Sequence, residues 1–172
     1  MFKLYQDFKR DSATYLELCD QFMGRLNLHE RVVVDHICFK CGSSEEYNQI
    51  RNVLETDPPS RYVYQVMLSR RRVGYFGLRD PIKMGHAAVA SVELADRKPV
   101  HDDKSGFHHV EIYPIAMSYD EMIGEMRDAG EDVELKRRLH HTTHDIKLPS
   151  GFIIRFTDKP LIKHIIDREL ST

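Results

Sequence analysis

The chain has 172 residues, of which 41% are hydrophobic, and a formal charge of −2 from Lys+Arg 25 against Asp+Glu 27. That length buries one core and excludes two ordinary domains, and the balanced charge excludes a general attraction to phosphate backbones or anionic lipid. No apolar run approaches membrane-spanning length, the start MFKLYQDFKRD has no apolar signal core, and Cys19, Cys38 and Cys41 cannot all pair, so the expectation is a single domain over 1–172 in a reducing cytoplasm, without nucleic-acid or membrane partners.

Residues 1–30 form a leading helical segment. Tyr15, Leu16, Leu18, Cys19, Phe22, Met23 and Leu26 recur close to helical spacing behind Ser12, a candidate cap. Residues 31–100 then read as strand, helix and three strands. DHICFK is the first strand. Ser43 with Glu46 is a capping box, and Tyr47, Ile50, Val53 and Leu54 give the helix one apolar face. VYQVML, VGYFGL and AVASVEL follow as strands. Cys38 and Cys41 form a C-x-x-C at a strand end with no second pair, which points to packing or cleft lining rather than a four-thiolate zinc site.

Residues 105–160 repeat this order. HHVEIY is a strand, Ser118 with Glu121 is the matching capping box, Met122, Met126 and Ala129 line the helix, and Gly130 ends it. DVELKRRL, HTTHDIKL and FIIRFTD are the closing strands, and residues 161–172 are a C-terminal helix placed to seal a cleft or to meet a second copy, which leaves monomer or homodimer open. The basic runs Arg70-Arg71-Arg72 and Lys136-Arg137-Arg138 read as solvated hairpin edges. The fold class is therefore α+β, with two βαβββ modules forming a half-open curved mixed sheet, outer helices and an N-terminal helical segment.

Alternation along strands sorts the polar residues. Ile37 and Phe39 oppose His36, Cys38 and Lys40; Val110 and Ile112 oppose His109, Glu111 and Tyr113; Val92 and Leu94 oppose Ser91 and Glu93; Ile154 and Phe156 oppose Ile153, Arg155 and Thr157. Helices over the apolar faces leave the polar faces lining the hollow of the sheet. By the same alternation His108 points away from His109, and the run His140-His141-Thr142-Thr143-His144-Asp145 turns either its even or its odd members inward, with His144 or His141 the candidate to bind substrate or relay a proton.

These features resemble the vicinal oxygen chelate superfamily of glyoxalases and extradiol dioxygenases. Within it the chain looks like the YecM-like family, on the stretches DHICFKC, VGYFGLRDPI, SVELADRKP, GFHHVEIYP and IIRFTDKPLIKHII. The resemblance implies one inward metal ligand from the first and last strand of each module, which here are His36, Glu93, His109 and Arg155. Arginine has no lone pair to give, so the implied set is His36, Glu93 and His109, a two-histidine, one-carboxylate site for a divalent Fe, Mn, Ni, Co or Zn. The implied activity is that of an isomerase, lyase or dioxygenase acting on a small anionic substrate that chelates through oxygen. Arg155 is the candidate anion anchor or the partner of Glu93 or Glu111, Glu111 the candidate proton carrier, an alternative ligand, or a partner of Lys40 or Arg155, and Lys40 a further substrate contact. The alternative is a small-molecule binding or sequestering protein without metal.

Overall fold

A helix of 21 residues, α1 (Tyr5–Arg25), opens the chain and buries Tyr5, Phe8, Ser12, Leu16, Cys19, Phe22 and Met23 along one face. It begins well before the expected Ser12 cap, because Tyr5 and Phe8 continue the same apolar stripe upstream and the Leu4 N–H donates to Asp7 Oδ2 at 3.2 Å. Ser12 lies inside the helix, its hydroxyl donating to the Lys9 carbonyl at 2.9 Å. The computed structural model describes residues 2, 4–56, 61–68, 70–99, 104–137 and 142–161, so the expected C-terminal helix falls, beyond Leu161, outside the described residues.

Two βαβββ modules follow. The first is β1 (Val32–Lys40), α2 (Ser44–Thr56), β2 (Arg61–Leu68), β3 (Arg71–Met84) and β4 (Ala87–Ala95); the second is β5 (Gly106–Pro114), α3 (Tyr119–Asp128), β6 (Glu134–Arg137), β7 (Thr142–Lys147) and β8 (Ile153–Phe156). They share one sheet of eight strands in the order β2-β3-β4-β1-β5-β8-β7-β6. Within each module the first and last strands pair in parallel, β1 with β4 and β5 with β8, and the modules join where β1 and β5 run antiparallel. The α3 capping box forms in full, with the Glu121 N–H donating to Ser118 Oγ and the Ser118 N–H to Glu121 Oε2; at α2 the Glu46 N–H donates to Ser43 Oγ at 3.1 Å, but Glu46 Oε2 accepts from the N–H of Gly42, one residue before the cap. In α3 the buried face is Met122, Ile123 and Met126, and Ala129 is exposed past the last helical turn, where Gly130 turns the chain at φ +82. Among the described residues no helix is long and apolar enough to cross a membrane.

The helices cover one face. Ile37, Phe39, Val92, Leu94, Val110, Ile112, Ile154 and Phe156 pack there with Phe8, Leu16, Phe22, Tyr47, Leu54 and Met122. α1 is tied to the sheet at the β3–β4 turn, where Asp20 Oδ1 accepts from the backbone N–H groups of His86 and Ala87 at 2.7 and 3.1 Å. Gly85, at φ +59, leaves the room this requires, since a Cβ there would meet Asp20 Oδ2 at 2.1 Å.

The pairing of β1 with β5 contains two irregularities that decide what faces the hollow. Val34 pairs with Ile112 and His36 with Glu111, so Asp35 is an extra residue on β1; Cys38 pairs with His109 and Phe39 with Phe107, so His108 is an extra residue on β5. A β-bulge resets the alternation of side chains. On β1, Val32 and Val34 pack against the helices, and after the bulge Ile37 and Phe39 do. On β5, Phe107 packs there before its bulge and Val110 and Ile112 after it. Asp35 and His36 therefore turn together toward the hollow, and so do His108 and His109. The expectation that His108 points the opposite way to His109 assumed an unbroken pleat, and the bulge overturns it.

Candidate metal centre

The first and last strand of each module meet at the middle of the sheet, and register brings their polar side chains together. Cys38 lies between Glu93 on β4 and His109 on β5, while Glu111 lies between His36 on β1 and Arg155 on β8. His36, Glu93 and His109 each offer one ligand atom, and these atoms all lie within 4.8 Å of one another. The rings of His36 and His109 stand nearly perpendicular, at 77°, with centroids 5.7 Å apart. His36 Nε2 is 3.6 Å from Glu93 Oε2, close enough for charge attraction but too far for a hydrogen bond. That nitrogen is buried and has no hydrogen-bond partner.

Each of the three residues is held by a neighbour. His36 Nδ1 is 2.8 Å from Asp35 Oδ2, and His109 Nδ1 is 2.9 Å from His108 Nδ1. Glu93 Oε1 accepts from the Cys38 thiol at 3.1 Å, and the Tyr75 hydroxyl of β3 also bonds the carboxylate. Burial and the nearby Glu93 push the Cys38 thiol and the Tyr75 phenol well above their usual ranges, so both stay protonated as donors. Neither contact of Glu93 is signalled by a motif. Tyr75 was missed although it pairs directly with Glu93 on the neighbouring strand.

The two histidines sit in opposite electrostatic settings. Burial works against charge on His36, but its hydrogen bond to Asp35 and the carboxyl groups of Glu111, Glu93 and Asp35 outweigh that and raise it to about 9. Burial pushes His109 well below its ordinary value, and the cations Arg155 and His36 push it further. Burial, followed by Lys40 and Arg155, lowers His108 to about 4. Because His36 is more basic folded than unfolded, its contribution to metal-free stability is complete below about pH 6.5 and is lost as pH rises through about 9. The shift corresponds to about 3 kcal/mol. Urea midpoints of chelator-treated protein are expected to fall across that window, and to fall less in His36→Gln; a wild-type curve as flat as the variant's would show that His36 carries no proton.

Arg155 is buried, at 7% exposure, and Asp145 of β7 holds it through two contacts, Nε to Oδ1 at 3.0 Å and Nη2 to Oδ2 at 3.2 Å. Its expected protein partners were Glu93 or Glu111. The β7–β8 register instead sets Asp145 directly beside it. The remaining arm, Nη1, donates to His109 Nε2 at 2.6 Å. Glu111, 2% exposed, sits beside both Arg155 and His36, and Lys40 lies half-buried at the end of β1. On β7 the inward face is Thr143 and Asp145. His144 lies on the helix side, where its Nδ1 is 2.8 Å from the Tyr119 hydroxyl of α3, so it is not among the residues of the hollow. His141 lies outside the described residues.

The residues present suit a divalent cation. Two imidazoles and a carboxylate are a set that Fe, Mn, Ni, Co and Zn accept, the orphaned Nε2 of His36 faces the other two, and each ligand is oriented by a polar neighbour, as ligands generally are. The carboxyl groups of Asp35, Glu93, Glu111 and Asp145 also outnumber the fixed cations Arg155 and Lys40. Binding through His109 Nε2 requires the Arg155 arm to give way.

The family model described as YecM protein matches residues 4–154. No curated protein matches the chain by sequence. Among solved structures, one described as "Structural Genomics, Protein EC4020" is 20% identical, with 94% of this chain and 91% of that one covered and a TM-score of 0.74. A methylmalonyl-CoA epimerase in complex with methylmalonyl-CoA and NH4+ is 14% identical, covering 77% and 97%, with a TM-score of 0.50. A hypothetical protein from Bacillus halodurans is 15% identical, covering 74% and 94%, also with a TM-score of 0.50. These likenesses establish the fold, which is that of the vicinal oxygen chelate proteins.

Proposed function

The chain belongs to the YecM family, and from that membership, the fold and the site we propose that it is a divalent-metal-dependent enzyme of the vicinal oxygen chelate type, acting on a small substrate that offers two adjacent oxygens. The observation that carries this reading is the orphaned, buried Nε2 of His36 facing Glu93 and His109. His36, Glu93 and His109 would hold the ion, which when bound supplies Lewis acidity to a substrate carbonyl. Glu111, buried beside them, is the group that moves a proton. Arg155, once its Nη1 arm has left His109 Nε2, presents a positive charge toward an anionic oxygen of the substrate, with Asp145 as its neighbouring carboxylate. Isomerisation, lyase chemistry and dioxygenation all draw on this arrangement. Three free, buried thiols, Cys19, Cys38 and Cys41, suit a reducing cytoplasm as the working compartment.

One observation favours the second reading, a metal-free binding protein. A proton on His36 and the Arg155 contact to His109 give the site its cations without any ion. Elemental analysis of protein purified without added metal separates the two. About one equivalent of Fe, Mn, Ni, Co or Zn is expected, and metal at background level would leave the second reading.

A further inference from the structure

We propose that His108 is a positioning residue for His109, doing in the second module what Asp35 does in the first: each occupies the extra place of a β-bulge and accepts the Nδ1 proton of the histidine that follows it, so that both rings turn Nε2 toward the shared centre. The significance for metal rests on the reading above; the hydrogen-bond assignment stands without it.

The assignment follows from donors and acceptors. A guanidinium only donates, so His109 Nε2, 2.6 Å from Arg155 Nη1, is the unprotonated nitrogen of its ring. A neutral imidazole then carries its proton on Nδ1, and the atom within reach is His108 Nδ1 at 2.9 Å, which therefore accepts and carries its own proton on Nε2. In the first module the carboxylate Asp35 Oδ2 only accepts, so His36 Nδ1 donates to it at 2.8 Å and Nε2 is left facing Glu93. Two bulges at matching places in the two modules thus produce one outcome with different acceptors, an anion in one half and a neutral ring in the other. Without the extra residue, neither acceptor would lie on the same side of the sheet as the ring it orients.

The test uses the full chain with 15N-labelled histidine. In chelator-treated wild type, long-range 1H–15N correlations should show His109 protonated on Nδ1 and bare on Nε2. His108→Phe should leave Nε2 bare, because Arg155 still donates there, but it should shift the His109 Nδ1 proton upfield and speed its exchange with solvent, and His108→Asn, whose amide oxygen can accept, should restore both. Zn2+ affinity, read by chelator competition, should fall about 10–100-fold in His108→Phe, the size of effect that orienting partners have, and recover in His108→Asn. A wild-type His109 protonated on Nε2, or an Nδ1 proton whose shift and exchange rate are unmoved by His108→Phe, overturns the proposal. The expected tautomers in a protein that binds no Zn2+ would support the His108–His109 pairing and defeat the metal reading instead.

Discussion

Replacing His36 and His109 together with alanine should strip the protein of its divalent metal, lowering affinity by more than about 100-fold, since altering even the partners of ligands costs about 10–100-fold. Both rings come from the central strands, and their nitrogens lie with the Glu93 oxygen inside one 4.8 Å cluster, so removing them leaves a single carboxylate of the three. His144→Ala is the matched control, because that ring sits on the helix side of the sheet against Tyr119. Metal content by elemental analysis and far-UV circular dichroism on all three proteins complete the comparison. Equal metal in wild type and the double variant would refute the ligand assignment.

Asp145→Ala should be the most destabilising change at the site. It removes both carboxylate oxygens from Arg155 and leaves a guanidinium buried among strands, with His109 Nε2 still in contact. Stranding one member of a buried ion pair costs about 3–5 kcal/mol, whereas replacing both members by apolar groups of similar volume is often close to neutral. The urea midpoint of Asp145→Ala should therefore fall by about 1.5–2.5 M, taking a slope of about 2 kcal/mol/M. The double replacement Asp145→Leu, Arg155→Met should recover most of the loss. If the single variant unfolds at the wild-type midpoint, the pair holds nothing together.

The modules were legible because the chain states them twice in chemistry as well as in pattern. Ser43 with Glu46 and Ser118 with Glu121 mark the helix starts, and a histidine stands on the first strand of each half. Alternation then separated His36, Glu93, His109 and Arg155 from the apolar positions, and the structure brings those four to one place. What alternation hides is its own interruption. An extra residue in a strand leaves composition and hydrophobicity almost unchanged, so the bulges at Asp35 and His108 left no trace, and His108 was assigned to the wrong side. For β7 the decisive signal was present but unused. His144 shares its face with Ile146, which belongs to the core, and that places Thr143 and Asp145 toward the hollow. Asp145 was passed over for the histidines because an acid gains meaning only from its neighbour, and the register with Arg155 is a tertiary fact.

The two halves of the sheet are stitched along one antiparallel seam, β1 against β5, and His36 and His109 stand on opposite sides of it. A cation gripped by both would act as a rivet through that seam. Since a ligand that binds only the folded form stabilises it by mass action, about 2.7 kcal/mol at a hundred times its dissociation constant, occupancy would govern how firmly the halves stay docked as well as what they do to a substrate. Neither half owns the whole grip, so a chain with one half detached would forfeit the ion before it lost its local folding.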